Sequence, residues 1–190
     1  MKNFLVLVAL GALTGGAVMA APAKPMAKPA MKSSAMKSST MMKTPTISSS
    51  DREYLRKDAQ GSVYDQSTAQ LALQKAKSPT VHAYAVMLTS DHQRLNTELF
   101  SFARSRKLTL PVTMMASDKT KLNSLKAKSG SAFDKAYLQE AVKINSDDVQ
   151  KGTKEIASTK DASVKALVGG FVATERKHLA AAKSLLAKMK

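Results

Sequence analysis

Apolar side chains recur every three or four residues from about residue 50 to the end of the chain, which is the spacing of one buried face of an α-helix. The clearest stripe consists of Val81, Tyr84, Leu88, Leu95, Leu99 and Phe102. Comparable stripes run through residues 133–156 and 164–186. The alternation of apolar and polar residues that indicates a half-buried strand does not compete with them. The pattern therefore predicts an all-α domain over residues 50–190.

The first predicted helix has signals at both ends. Ser50 and Glu53 have the spacing of a capping box, so the helix is expected to begin at Ser50. It is expected to run to about Lys77, where Ser78 and Pro79 interrupt the pattern. Because proline is favoured in the first turn of a helix, the same pair predicts the start of a second helix.

Signals further along the chain predict three more helices. The second helix should end near Arg106, ahead of the break at Pro111. A short helix is expected at residues 117–128, a long helix after Gly130, and a last helix capped by Asp161. Two short loops and one longer connection, which holds the short helix, are the connectivity of a ferritin-like four-helix bundle.

Residues 1–20 have the features of a secretory signal peptide. Lys2 precedes an apolar run over residues 4–13, and small residues lead to an expected cleavage after Ala20. The apolar run is too short to span a membrane, which needs about 20 residues. We therefore expect export to the periplasm or cell envelope and no membrane span in the mature chain. The alternative is a signal anchor that is not cleaved.

Residues 21–49 are rich in Lys, Met, Pro and Ser and predict a flexible linker, because they offer too little apolar surface to offset the entropy of folding. The methionines are Met26, Met31, Met36, Met41 and Met42. Thioether sulfur is a soft ligand that selects Cu(I), so these five residues are candidate copper ligands. The alternative is a low-complexity segment in which methionine has no specific role.

The chain is strongly basic. Its 190 residues include 30 Lys and Arg and 14 Asp and Glu, which gives a formal net charge of +16. Such a charge favours an anionic envelope polymer, a lipid surface or an envelope protein complex as the partner. Aromatic residues make up only 5%, so no specific nucleic-acid partner is expected. The absence of cysteine excludes disulfides and thiolate chemistry.

Polar residues interrupt two of the apolar stripes at positions that should lie inside the bundle. His92 takes an inward position on the second helix, with Asp91 beside it. Glu175 and His178 do the same on the last helix, and they share a face because residues i and i+3 are neighbours. Asp65 on the first helix should lie opposite His92, since both are nearly the same distance from the turn between their helices. Buried polar groups need partners, so these residues should meet.

The long helix before the last one adds Asn145 and Asp148 near its inward stripe. Together the polar positions predict a metal site in the core, because imidazole and carboxylate ligands suit Cu, Fe, Mn or Zn. The candidate ligands are His92, His178, Glu175, Asp65, Asp91 and Asp148. The alternative is that the histidines belong to a hydrogen-bonded network in the core that holds no metal.

Several short segments, spread over most of the domain, carry a resemblance. They are Ser78-Pro79, Tyr84-Ala85, Ser90-Asp91-His92, Asn96, Glu98-Leu99, Leu110-Pro111, residues 133–138, and His178-Leu179 with Ala182. The chain resembles a ferritin-like family of bacterial envelope or outer-membrane proteins whose function is not established. The resemblance implies a helical bundle, export and an envelope location. The family commonly has His where this chain has Asn145 and Glu where it has Asp65, so a mononuclear site, or none, is expected rather than a full two-iron centre.

Two hypotheses from different classes follow. The first is a metal-binding envelope protein with a redox role, such as copper- or other metal-dependent superoxide dismutation, whose positive surface would attract the superoxide anion. If it is an enzyme, it is an oxidoreductase of the superoxide dismutase type. The alternative is a non-enzymatic accessory subunit that docks on an outer-membrane or surface-layer complex through its basic linker and its bundle.

Overall fold

The computed structural model describes residues 46–189, which fold into five α-helices. These are α1 (Ser49–Lys75), α2 (Pro79–Ser105), α3 (Ala116–Lys126), α4 (Gly130–Ser158) and α5 (Ala162–Ala187). The prediction of an all-α bundle is confirmed, with four long helices and a short α3 in the connection between α2 and α4. The predicted signal peptide and all five candidate methionines lie outside the described residues.

Helix α1 begins slightly earlier than the capping-box pattern predicted. The hydroxyl of Ser48 accepts a hydrogen bond from the backbone amide of Asp51 at 3.0 Å, so Ser48 rather than Ser50 is the cap. Three serines in a row offer three caps, and the one used, Ser48, directly follows the buried Ile47. Glu53 is exposed and forms ion pairs with basic side chains one turn further along.

A buried carboxylate on α4 holds the turn between α1 and α2. Asp134 accepts hydrogen bonds from the backbone amides of Lys77, at 3.0 Å, and Ser78, at 2.7 Å. Helix α1 ends at Lys75, two residues before the predicted end, and Pro79 starts α2 as predicted. The turn amides are therefore satisfied by a side chain more than fifty residues away in sequence.

Asp161 caps α5 and also ties it to the end of α2. Its carboxylate accepts from the amides of Ser163, at 2.8 Å, and Val164, at 3.2 Å, and lies 3.0 Å from the guanidinium of Arg106. Burial alone would raise the pKa of Asp161, but the two amides and Arg106 outweigh it and lower the pKa. Asp161 therefore carries a negative charge where α2 ends and α5 begins.

The apolar core is divided by a polar layer. One cluster surrounds Tyr84, Phe133 and Tyr137, and a second surrounds Leu99 and Phe171. The inward polar residues of α2 and α5 lie between these clusters along their helices. Within residues 46–189, none of the helices has a stretch long and apolar enough to cross a membrane.

Candidate metal centre

Three side chains from α2 and α5 meet in the polar layer. His92 on α2 and Glu175 and His178 on α5 each place one nitrogen or oxygen within 4.8 Å of the other two. The imidazole rings of His92 and His178 lie 5.5 Å apart between centroids. Nε2 of His92 lies 4.0 Å from one Glu175 oxygen, and Nδ1 of His178 lies 3.4 Å from the other. Two helices therefore bring two imidazoles to one carboxylate.

His178 is completely buried and is held from both sides. Its Nε2 lies 2.9 Å from Oδ2 of Asp91, which comes from α2. Its Nδ1 makes no hydrogen bond within the described part of the chain, although Glu175 is close. Nδ1 therefore faces a carboxylate at ion-pair distance, and in the deprotonated ring it is the nitrogen that can bind a ligand.

Burial and charge act differently on the two histidines. Burial lowers the pKa of His92, and His178 lowers it further although Glu175 acts in the opposite sense. Burial also disfavours charge on His178, but Glu175 and Asp91 outweigh it and raise the pKa of His178. His92 is therefore neutral at neutral pH and can donate an electron pair. A metal ion bound to His178 would compete with a proton.

A cavity of about 550 Å³ reaches this group from the space between the helices. His92 and Glu175 are part of its wall, and Leu95, Leu99 and Phe171 make an apolar section of it. Acidic residues also line it: Asp58 and Asp65 from α1, and Asp148 and Glu155 from α4. Lys57, Lys151 and Lys154 line it as well, so the cavity wall carries both acidic and basic side chains.

The remaining candidate ligands lie around the cavity rather than at the three-residue group. Asp65 is buried and lines the cavity, as His92 does. Asp148 is half-buried and pairs with Lys151 at 3.6 Å. Asn145 is buried and donates from its amide to the carbonyl of Ala141. The structure therefore brings together His92, Glu175 and His178, with Asp91 behind them, and not Asp65 or Asp148.

Asp58 is a cavity residue that the sequence analysis did not find. A signal exists, because Asp51, Asp58 and Asp65 are spaced by seven residues and so lie on one face of α1. The inward residues Leu55 and Ala69 lie on the same face. A heptad of carboxylates along a buried face indicates a polar cavity rather than a solvated surface.

The cavity carboxylates disfavour one another's charge. Burial, with repulsion from Asp148 and Glu175, raises the pKa of Asp58 to about 8. Burial and Glu175 raise the pKa of Asp148 to about 7, and burial with the Asp51 hydrogen bond raises that of Glu155 to about 7. The pKa of Asp65 is also raised, chiefly by burial. These acidic side chains therefore keep their protons to a higher pH than ordinary carboxyl groups do.

Two solved structures share this architecture. One is the crystal structure of a DUF305 fragment from Deinococcus radiodurans, with a TM-score of 0.69 and 10% identity, covering 76% of this chain and 99% of that one. The other is CopM in the Cu(II)-bound form, with a TM-score of 0.64 and 16% identity, covering 74% and 97%. At these identities the similarity concerns the fold.

A search among curated proteins finds no match. A family match covers residues 36–185, which include all five helices except the last residues of α5. None of the comparisons names a ferritin-like or outer-membrane family. The chain belongs to the family described as "Domain of unknown function (DUF4142)".

Proposed function

We propose that this protein binds a copper ion through His92, Glu175 and His178. The observation that carries the proposal is the buried Nδ1 of His178, which has no hydrogen-bond partner among residues 46–189 and lies beside Glu175. Two ligand atoms of one metal ion are each about 2 Å from it, so they lie about 4 Å or less apart. The three atoms here lie within 4.8 Å of one another, which requires only small side-chain adjustments.

The donor set supports copper. Imidazole nitrogen suits Cu, Zn, Fe and Ni, and among divalent first-row metals Cu²⁺ generally binds most tightly to a given site. CopM, which has been solved in a Cu(II)-bound form, shares the fold of this chain, and this similarity supports copper as the metal. Bound copper would supply one-electron redox chemistry. The chain's own contribution is to position two imidazoles and exclude bulk water from His178, which is fully buried.

Asp91 supports the site without being a ligand. A metal-binding imidazole commonly donates its other N–H to a carboxylate, which fixes the ring orientation and the tautomer. Nε2 of His178 faces Asp91 at 2.9 Å, so Nδ1 is left for the metal. The predicted ligand Asp91 therefore acts as a positioning residue in this proposal.

The proposal also concerns where the protein is located and which reaction it catalyses. The signal-like residues 1–20 support export to the periplasm or envelope. A formal charge of +16 would attract superoxide to the protein surface, which supports superoxide dismutation as the reaction. Superoxide consumption by the copper-loaded chain, compared with the variant below, tests this extension separately from binding.

Copper binding can be tested with matched histidine variants. The full chain is loaded with Cu(II), freed of excess metal, and examined for copper content and for nitrogen couplings in the electron paramagnetic resonance spectrum. We expect one copper with nitrogen ligands, lost in the double variant His92→Ala, His178→Ala. His82→Ala is the control, because His82 is exposed on the same helix as His92 and completes the chain's three histidines.

A second control separates the bundle from the linker. Replacing Met26, Met31, Met36, Met41 and Met42 by Leu should leave Cu(II) binding in place, since thioethers prefer Cu(I). The proposal is wrong if the double-histidine variant keeps its copper, or if the wild-type chain takes up none. Either result would favour the accessory-subunit alternative, in which the same side chains form only a hydrogen-bonded network.

A further inference from the structure

The outward face of α5 carries only positive charge. The exposed charged residues of this helix and its C-terminal cap are Lys165, Arg176, Lys177, Lys183 and Lys188. The two acids of residues 160–189, Asp161 and Glu175, are each only 7% exposed. No acidic side chain of α5 therefore offsets the positive charges at the surface.

Acids on the neighbouring helices do not pair with these five side chains. Within residues 46–189, the lysines and arginines that form ion pairs are Arg56, Lys57, Arg94, Arg106, Lys121 and Lys151, and none belongs to α5. On α2, Asp91 and Glu98 are paired with Arg94. On α4, the exposed Asp147 lies five residues before Gly152, which faces α5, so Asp147 points about 140° away from it. The basic side chains of α5 are therefore available to a partner outside the chain.

The five side chains form two rows along the helix. Lys165, Arg176 and Lys183 are spaced by eleven and seven residues, which are close to whole turns of an α-helix, so they lie in one row. Lys177 and Lys188 are spaced by eleven residues and form the second row. At a rise of 1.5 Å per residue, the first row is about 27 Å long. An extended anionic partner can therefore contact several of these charges at once.

The surface between the rows favours a polymer chain over a lipid bilayer. The exposed residues there include Ala166, Ala173 and Ala180, whose small side chains let an anionic chain lie close to the helix. Helices that lie on a bilayer bury an apolar face among the lipids. The exposed large apolar residues of the described part of the chain are Val86, Met87, Val112 and Met115, and α5 contains none of them.

We propose that the outward face of α5 binds a linear phosphate polymer, whose chain lies between the two rows of basic side chains. Lysine and arginine donate charge-assisted hydrogen bonds to phosphate oxygens. Each phosphate that they neutralise releases bound counterions, so the affinity should fall steeply with salt. The site is independent of the metal centre, because His178 is completely buried on the inward side of the same helix.

Fluorescence anisotropy with end-labelled inorganic polyphosphate tests this on the full chain without added metal. The triple variant Lys165→Gln, Arg176→Gln, Lys183→Gln removes the first row and keeps good helix-forming residues. We expect it to bind polyphosphate about tenfold or more weakly than the wild type at about 0.1 M salt. The slope of log affinity against log salt should also fall by about two to three, because each phosphate contact releases about 0.7–0.9 counterion.

A matched triple variant controls for net charge. Lys119→Gln, Lys126→Gln, Lys128→Gln removes the same charge from exposed lysines of α3 and the residues just after it. Helix α3 packs on α1 and α4. Because charges beyond a Debye length of about 10 Å are largely screened, this variant should change the affinity by less than about threefold.

Two further variants make the result decisive. Lys177→Gln, Lys188→Gln removes the second row and should weaken binding even if the first triple variant does not fold, and circular dichroism reports folding in each case. His92→Ala, His178→Ala should bind polyphosphate normally while losing copper, so a failure of this inference is distinguishable from a failure of the proposed function.

Four results would overturn the inference. They are no binding of polyphosphate by the wild type, unchanged affinity in folded variants of both rows, equal losses in the α5 and α3 triple variants, and tighter binding to vesicles of phosphatidylglycerol and phosphatidylcholine than to polyphosphate. Equal losses would mean that net charge alone attracts the polymer, and preference for vesicles would mean that the partner is a bilayer.

Discussion

Oδ2 of Asp91 lies 2.9 Å from Nε2 of His178, and this contact joins α2 to α5 at the depth of the candidate metal centre. Asp91 is half-buried, whereas His178 is fully buried. The pair therefore connects a partly hydrated carboxylate to an imidazole that water does not reach. Through it, a change near the surface of α2 can alter the charge and orientation of a group inside the bundle.

Asp91→Asn should weaken Cu(II) binding without removing it. A neutral amide orients the His178 ring less strongly and lowers its basicity, and loss of such an outer contact typically costs about 10–100-fold in metal affinity. Competition titration against a chelator measures the change. Glu98→Gln is the matched control, since Glu98 is an exposed acid on the same helix that pairs with Arg94. Unchanged affinity in Asp91→Asn would show that Asp91 does not position the site.

Gly152→Ala should destabilise the bundle where α4 packs on α5. A Cβ at this position would clash with Cγ2 of Val172 and lie 3.3 Å from the hydroxyl of Tyr54, so the surrounding side chains or helices would have to shift. We expect a loss of roughly 1–3 kcal/mol in the free energy of unfolding, as is typical of overpacking. Urea denaturation measures it.

Gly61→Ala is the control for this change, and we expect it to raise the free energy of unfolding rather than lower it. A Cβ at Gly61 meets nothing within 4 Å, so alanine should stabilise α1 by up to about 1 kcal/mol through helix propensity. If Gly152→Ala is as stable as Gly61→Ala, close packing at Gly152 does not constrain the two helices.

Asp58→Asn should stabilise the metal-free protein, and the gain should grow with pH. The pKa of Asp58 is raised from 3.8 to about 8, so between about pH 4 and pH 8 the folded state holds a proton that the unfolded state has released. Wild-type stability from this group therefore falls as pH rises through that window. Asparagine cannot ionise and avoids the loss.

Thermal melting at several pH values measures the effect. The difference between Asp58→Asn and the wild type should be small near pH 4 and largest near pH 8. Asp147→Asn, which changes an exposed carboxylate on α4, should show no such trend. A constant difference across the range would mean that Asp58 is not protonated in the folded state.

Asp161→Ala should destabilise the protein strongly at neutral pH. It removes the cap of α5 and leaves the guanidinium of Arg106, only 9% exposed, without this carboxylate. Breaking a buried ion pair from one side typically costs about 3–5 kcal/mol. Because the pKa of Asp161 is lowered, this contribution is present above the unfolded-state pKa and is lost as pH falls through the folded-state value. Chemical denaturation at neutral and acidic pH, with Asp147→Ala as control, tests both points.

Much of the fold could be predicted because local signals agree with the packing. Pro79 and Asp161 begin their helices as expected, and the helix ends lie within two residues of the predicted positions. His92, Glu175 and His178 could be selected because each interrupts an apolar stripe, and a buried face tolerates a polar residue only with a partner. Periodicity is enough to place such residues on the inside.

Other parts of the site depend on information that periodicity does not carry. The sequence placed Asp91 beside His92, but its contact with His178 depends on how α2 is rotated against α5. Asp65 and Asp148 were also predicted as ligands, but they line the cavity and are not part of the three-residue group. Distances between helices follow from side-chain packing, which one sequence does not reveal.

The carboxylates at Asp51, Asp58 and Asp65 also have a consequence for motion. Helix α1 buries Asp51 and Asp65 on one face and half-buries Asp58 there, and these acids lose hydration when the helix is docked. This lost hydration lowers the cost of releasing α1, and its release would open the side of the cavity that α1 lines. A ligand that binds in the cavity would stabilise the docked helix and make its release less frequent.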